Sequence, residues 1–196
     1  LLMTNAAVEE SEFMPIISVD EDDEPHTGED MPELVPVLAL KNTVLYPGIV
    51  IPITVGREKS MKAVRKAHDT NKQIAVLAQK DIETEDPGVT DLFTVGTMAR
   101  ILKILKMPDG SITAILQGRS RFNMVQMDAV DPYMIARVKP RNYVPAESKI
   151  EFEAIIGSIR DLAEKIIKLS PNIPSEAVVM IRNIKSDIHL LGFISS

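Results

Sequence analysis

Cysteine and tryptophan are both absent from this chain of 196 residues. Without cysteine the chain can form no disulfide framework, no thiolate metal site and no thiol nucleophile. Long apolar runs are missing too, since no stretch approaches the roughly 20 apolar residues that span a bilayer. The hydrophobic fraction of 45% is nevertheless that of an ordinary globular chain. The composition therefore predicts a soluble protein with no membrane partner.

Basic residues are missing from the first 33 positions, which hold eleven acidic residues. The formal charge of -6 thus divides into a segment of -11 and a body of +5. An acidic segment poor in aromatic residues buries too little apolar surface to offset its chain entropy. Residues 1–33 are therefore predicted to be a disordered acidic tail. A secretory signal begins with a basic segment that is followed by an apolar one. The tail has neither, which favours a cytoplasmic location.

Residues 34–143 consist of short apolar runs closed by proline and glycine. Prolines at 36, 47 and 52 have no backbone N–H to donate to the hydrogen-bond ladder of a central strand. Their positions therefore predict edge or bulged strands. Only Arg57–His68 has a helical period. Pro108-Asp109-Gly110 separates two apolar runs and is typical of a hairpin turn. This region is predicted to be a compact domain of six or seven strands and one helix, and Gly96 and Gly118 indicate bends of a closed, barrel-like sheet.

Residues 144–196 change to a helical period. Ser148 and Glu151 form a capping-box pattern before a long amphipathic helix. The apolar stripe predicted for that helix comprises Phe152, Ile155, Ile156, Ile159, Leu162, Ile166 and Leu169. Ser186 is predicted to cap a later helix whose end is still apolar, with Leu190, Leu191, Phe193 and Ile194. We interpret this region as a helical subdomain truncated at its C-terminal end.

Residues that carry common chemistries do not cluster in this sequence. His26, His68 and His189 are far apart and have no neighbours at metal-ligand spacing. No G-x-x-x-x-G-K-[ST] loop is present for a nucleotide, and no G-x-S-x-G elbow for a nucleophilic serine. The sequence therefore predicts a chain without catalytic residues, metal or cofactor.

Two sets of mainly basic residues are candidate binding residues. The first lies on the helix that follows Gly56 and comprises Arg57, Glu58, Lys59, Lys62 and Lys66. Cations at a helix start oppose the macrodipole, and such local conflicts are typical of functional positions. We assign this set to substrate binding. The alternative is a solvated basic face.

The second set occupies alternate positions along two predicted strands, which places the cations of each strand on one side of it. It comprises Arg119, Arg121, Arg137, Lys139 and Arg141. These cations suit a nucleic acid or another polyanion. No aromatic side chains alternate with them for base stacking, so the wet face of an antiparallel sheet is the competing interpretation.

The segments "LVPVLALKNTVLYPGIVIPITVGREKS", "LAQKD", "EDPGVTDLFTVGTMARILKILKMPDGS" and "LQGRSRF" occur in this order. Together they resemble the amino-terminal domain of the bacterial Lon protease family, ATP-dependent serine proteases, over about residues 34–194. The resemblance implies an α+β fold, a PUA-like β-barrel-type domain followed by a helical bundle subdomain. It also implies a non-catalytic role in recognising unfolded, damaged or tagged proteins.

In that family the ATPase and Ser-Lys protease modules lie further along the chain, so ATP, Mg²⁺ and a homohexamer are expected only for a full-length parent. Self-association is expected of the fragment itself. Two alternatives stay open: a free-standing Lon-type substrate-binding protein, and a basic-faced module that binds nucleic acid or polyphosphate. The acidic tail departs from the usual family pattern.

Overall fold

The computed structural model describes residues 16–17, 31–171, 173–174 and 176–196. Seven strands, β1 to β7, and four helices, α1 to α4, occur in these residues. In chain order they are β1 (Ile16–Ile17), β2 (Leu34–Leu40), β3 (Ile49–Val55), α1 (Glu58–Asp69), β4 (Gln73–Ala78), β5 (Val95–Lys106), β6 (Ile112–Ala129), β7 (Ile135–Pro140), α2 (Lys149–Leu169), α3 (Glu176–Asn183) and α4 (Asp187–Ser195). The predicted α+β class is confirmed.

The strands form one sheet that closes on itself. Its order is β1-β3-β6-β5-β4-β2-β7, and β7 also pairs with β6. Closure depends on the 18-residue strand β6. One edge of β6 pairs with β5, and its other edge is shared by β3 and β7. Residues 112–117 of β6 pair with β3, and residues 122–129 pair with β7. A long central strand thus lets two shorter strands lie end to end.

Glycines permit two close approaches within this sheet. A β-carbon on Gly96 would lie 2.3 Å from the carbonyl oxygen of Val76, and one on Gly118 would lie 2.2 Å from that of Tyr46. No other residue type fits there without backbone displacement. The pairing of β5 with β6 also shifts register beside Gly118, between Met98 and Ala99. The register shift confirms an irregularity of the sheet at Gly118, whereas Gly96 makes a close contact without a register shift, so a bend there stays a prediction.

Two buried clusters form the core of the β-rich region. One lies under α1, whose Ala63, Val64 and Ala67 are buried against the sheet. The other surrounds the fully buried ring of Phe122. The hairpin before β6 has the predicted chemistry, because Gly110 has φ +87° and the Asp109 carboxylate accepts a 2.9 Å hydrogen bond from the backbone of Ser111.

The three C-terminal helices share a third core. Ser148 caps α2 by accepting a hydrogen bond from the backbone of Glu151, and Ser186 caps α4 through the backbone of His189, so both predicted caps are confirmed. Helix α4 rests on the loop before β3, where its Gly192 comes close to the Tyr46 side chain and His189 to Gly48. This contact joins the helical part to the sheet.

The stripe predicted for α2 is wrong in part. Ile156 is buried, but the buried face continues through Ala163 and Ile167 rather than through the predicted Leu162 and Ile166. α2 has a wide apolar arc, and α3 and α4 cover only one side of it.

The apolar end predicted for the last helix is also largely covered. Leu190 is fully buried and Leu191 and Phe193 are partly buried, because α4 packs against both the helical core and the sheet. Most of residues 1–33 lie outside the described residues, and the disordered tail stays a prediction. Within that range Ile16–Ile17 form β1, and Glu33 pairs with Arg137.

Candidate functional site

The start of α1 is held by side-chain contacts rather than by a helix cap. Arg57 occupies the N-cap position without a capping hydrogen bond. Its guanidinium instead donates to the side chain of Gln79, which is buried at the end of β4. The Gln79 amide in turn donates to the carbonyl of Thr84, at 2.9 Å. Arg57 thus connects the helix start to the loop that follows β4.

Lys59 connects the helix start to the same loop and to the loop between β6 and β7. Its ammonium lies 3.3 Å from the Asp131 carboxylate and 3.7 Å from that of Asp86. The hydrogen bond with Asp131, helped by the charges of both carboxylates, raises the pKa of Lys59 above its ordinary value. The cation is therefore stabilised despite its unfavourable place at the helix start.

Between these loops lies a shallow surface depression, the α1 depression. Its apolar wall is formed by Val37, Ala39, Pro87 and Met134, and its polar rim by Arg57, Lys59, Ser60 and Asp86. The space at this depression is about 280 Å³ only when the open solvent above it is included, so the depression is a shallow feature of the surface and not an enclosed pocket. Such a surface offers contact to a side chain of a polypeptide and does not enclose a drug-sized ligand.

The predicted α1 set therefore separates into different environments. Glu58 and Lys62 pair one turn apart at 2.6 Å, and this hydrogen bond lowers the pKa of Glu58. Lys66 is exposed and forms no ion pair with the part of the chain that the structure describes. Two members of the set, Arg57 and Lys59, line the depression, and three lie on the outer helix surface.

The second predicted set also has protein partners. Arg137 pairs with Glu33 and, at 2.8 Å, with Asp128, and the hydrogen bond to Glu33 raises the pKa of Arg137. Arg141 donates to Asn123 at 3.0 Å. These contacts use part of the hydrogen-bonding capacity of Arg137 and Arg141, so a polyanion would compete with them.

The other members of that set lie along β6 and β7. Arg121 lies over the ring of Tyr46 at 5.8 Å, Lys139 is exposed, and Arg119 sits beside the register shift at Gly118. Polyanion binding by this set stays a prediction.

An exposed apolar row on α2 was not anticipated as a site. Ile155, Leu162, Ile166 and Leu169, here named the α2 stripe, have exposed fractions of 58%, 57%, 59% and 84%. They recur at spacings of seven, four and three residues, so they form one face about 21 Å long. The sequence feature that indicates this exposed face is the width of the apolar arc of α2, which is wider than a helix needs in order to pack against one neighbouring surface.

No group of three or more potential metal ligands occurs among the residues that the structure describes. The same residues include no helix that is both long and apolar enough to cross a membrane.

Comparison with known proteins identifies the family. The family model of the ATP-dependent protease La (LON) substrate-binding domain matches residues 34–196. The chain belongs to this family. It is 47% identical over 188 residues to the Lon protease of Flavobacterium johnsoniae, a match that covers 95% of this chain and 23% of that protein. With the Lon protease of Cytophaga hutchinsonii the identity is 39% over 186 residues, covering 94% and 23%.

A solved structure shares the fold of this Lon substrate-binding domain. It is the N-terminal domain of a Mycobacterium avium complex Lon protease, with a TM-score of 0.63 and 21% identity, and the match covers 80% of this chain and 78% of that one. The two sequence relatives are much longer proteins, of which the present chain spans about a quarter.

Proposed function

We propose that this domain binds unfolded, damaged or tagged proteins and delivers them to ATPase and protease modules of a longer Lon polypeptide. The observation that carries the proposal is the α1 depression, where apolar and cationic groups meet in a domain of a substrate-binding family. A recogniser of many sequences needs non-directional apolar contact, and cations near it accelerate encounter more than they add affinity.

The α1 depression gives each group a role in this proposal. An apolar substrate side chain contacts the partly buried Met134, and Arg57 and Lys59 remain tied to the protein while they orient the rim. Lys62 and Lys66 supply the outer positive charge. Binding at one such small site is expected to be micromolar or weaker, because an unfolded segment loses entropy when it is ordered.

The remaining parts of the proposal concern the longer polypeptide. ATP and Mg²⁺ serve its ATPase module, the serine protease activity resides in its protease module, and a homohexamer forms through modules outside this domain. We place the protein in the cytoplasm and assign no catalysis and no cofactor to this chain itself.

Filling the depression tests the proposal. Ser60 is half-buried and lines the depression, so Ser60→Trp blocks it, and Ser60→Ala is the matched control. With a carboxymethylated, permanently unfolded test protein as probe, we expect the dissociation constant to rise about tenfold for Ser60→Trp, the loss of ~1.4 kcal/mol. The control should bind as the original chain does.

Lys62→Glu with Lys66→Glu should lower the association rate and its dependence on salt, because both cations are exposed. Equal affinity of folded Ser60→Trp and Ser60→Ala chains would exclude the depression as the binding site.

A further inference from the structure

Methionine is concentrated around one core cluster of the β-rich region. Four partly buried methionines pack against the buried residues that surround Phe122: Met31, Met124, Met127 and Met134. Two of them lie on β6, opposite buried residues of β7. The fold thus gathers thioether side chains from the segment before β2, from β6 and from the loop before β7.

Met134 belongs both to this cluster and to the α1 depression. Its side chain packs against the core cluster and also contributes to the apolar wall of the depression. Its backbone is held in place, because the Met134 carbonyl accepts a 2.9 Å hydrogen bond from the backbone N–H of Val37. The residue is only partly buried, so a small oxidant can reach its side chain from the open depression.

A thioether reacts with hydrogen peroxide without a cofactor. The sulfur lone pair attacks one peroxide oxygen, an S–O bond forms and the O–O bond breaks. The hydrogen of the attacked oxygen moves to the departing oxygen, and one water is released. The sulfur is oxidised by two electrons and the peroxide is reduced by two. The product, a sulfoxide, is polar where the thioether was apolar and flexible.

We propose that Met134 is an oxidation site, and that its conversion to the sulfoxide by a peroxide disturbs the apolar wall of the α1 depression. The consequence for substrate binding rests on the proposed function, whereas the reactivity and its effect on the core do not. A sulfoxide oxygen must lose water when an apolar substrate side chain covers it, and that loss disfavours binding. The same oxygen is disfavoured against the packed core.

Two other methionines provide internal references. Met98 is 4% exposed and belongs to the same core cluster, so it should resist oxidation. Met107 is 42% exposed in the turn before β6 and belongs to neither the cluster nor the depression. It should therefore oxidise readily and without consequence.

Peroxide treatment of the full chain, followed by peptide mass mapping, tests the reactivity. We expect Met107 to react first, Met134 next and Met98 last, because the susceptibility of methionine follows its exposure. A Met134 side chain that is as unreactive as Met98 would overturn the proposal.

A matched pair of variants tests the consequence for binding. Met134→Leu conserves the volume and cannot form a sulfoxide, and Met107→Leu is the same change at the reference position. After peroxide treatment and removal of the peroxide, the original chain and Met107→Leu should bind the carboxymethylated test protein about tenfold more weakly, whereas Met134→Leu keeps its affinity. Methionine sulfoxide reductases should restore binding to the oxidised original chain.

The thermal midpoint separates this proposal from the proposed function, because it needs no ligand. Peroxide should lower the midpoint of the original chain and of Met107→Leu, but not that of Met134→Leu. This result, together with equal binding by Ser60→Trp and Ser60→Ala, would support the oxidation site and exclude the depression as the substrate site. Equal losses of midpoint in the two leucine variants would overturn the proposal, because the damage would then lie at another methionine.

Discussion

Lys59 and Asp131 form an ion pair, 3.3 Å between ammonium and carboxylate, that joins the first turn of α1 to the loop before β7. The same ammonium reaches Asp86 in the loop after β4. A basic residue that the sequence marks as a binding candidate thus bridges two loops beside the α1 depression.

Charge reversal at Lys59 is predicted to destabilise the domain more than the same change at Lys66. Lys59→Glu places a carboxylate against Asp86 and Asp131, and this repulsion is expected to exceed what a negative charge gains at the start of a helix. Lys66→Glu acts on an exposed side chain without an ion pair among the described residues and loses only the few tenths of a kcal/mol that a cation contributes in the last turn of a helix. Both variants change the net charge equally. Thermal unfolding monitored by circular dichroism should give a clearly lower midpoint for Lys59→Glu only. Equal midpoints would show that the ion pair contributes nothing measurable.

Alanine at two glycines is predicted to have opposite effects. Gly96→Ala drives a β-carbon to within 2.3 Å of the Val76 carbonyl, so it should cost about 1–3 kcal/mol of unfolding free energy. Gly157 lies on the exposed side of α2, where a β-carbon meets nothing within 4 Å, and Gly157→Ala should stabilise the helix by about 0.5–1 kcal/mol. Urea denaturation measures both. A neutral Gly96→Ala would mean that the β5–β4 contact adapts freely.

Local chemistry explains which features could be predicted from sequence. The Ser148 and Ser186 caps and the turn at Asp109-Gly110 involve residues within three positions of one another, so their patterns suffice. The partners of Lys59 come from distant loops, and no local pattern specifies them. The face that α2 buries was mistaken for a related reason: its apolar arc is wide, and only α3 and α4 decide which side of it is covered.

The helical part is predicted to lose stability in acid. Glu164 of α2 accepts two hydrogen bonds from Arg182 of α3, at 2.8 and 2.6 Å, and this contact lowers the pKa of Glu164 below its ordinary value of 4.5. A carboxyl whose pKa is lower when folded adds stability that is complete above about pH 5.5 and is lost as pH falls below 4.5 through the folded pKa.

The matched variant for this pH effect is Glu164→Gln, which keeps the shape and removes the charge. Its thermal midpoint should lie below that of the original chain at pH 7, and the difference should shrink as the pH falls to 3. A difference that is independent of pH would contradict the assigned role of the Glu164 charge.

The α2 stripe is predicted to cause concentration-dependent self-association. Four aliphatic side chains more than half exposed lie on one helix face, and exposed apolar surfaces are typical of interaction sites. Leu162→Glu with Ile166→Lys should therefore reduce association without lowering the thermal midpoint, because neither side chain belongs to the buried core.

The matched control is Leu102→Glu with Leu105→Lys, which makes the same charge changes at exposed apolar positions of β5. Sedimentation velocity between 1 and about 200 μM should show dimers or larger species for the original chain and the control only. A strictly monomeric original chain across this range would leave the stripe without a role in self-association.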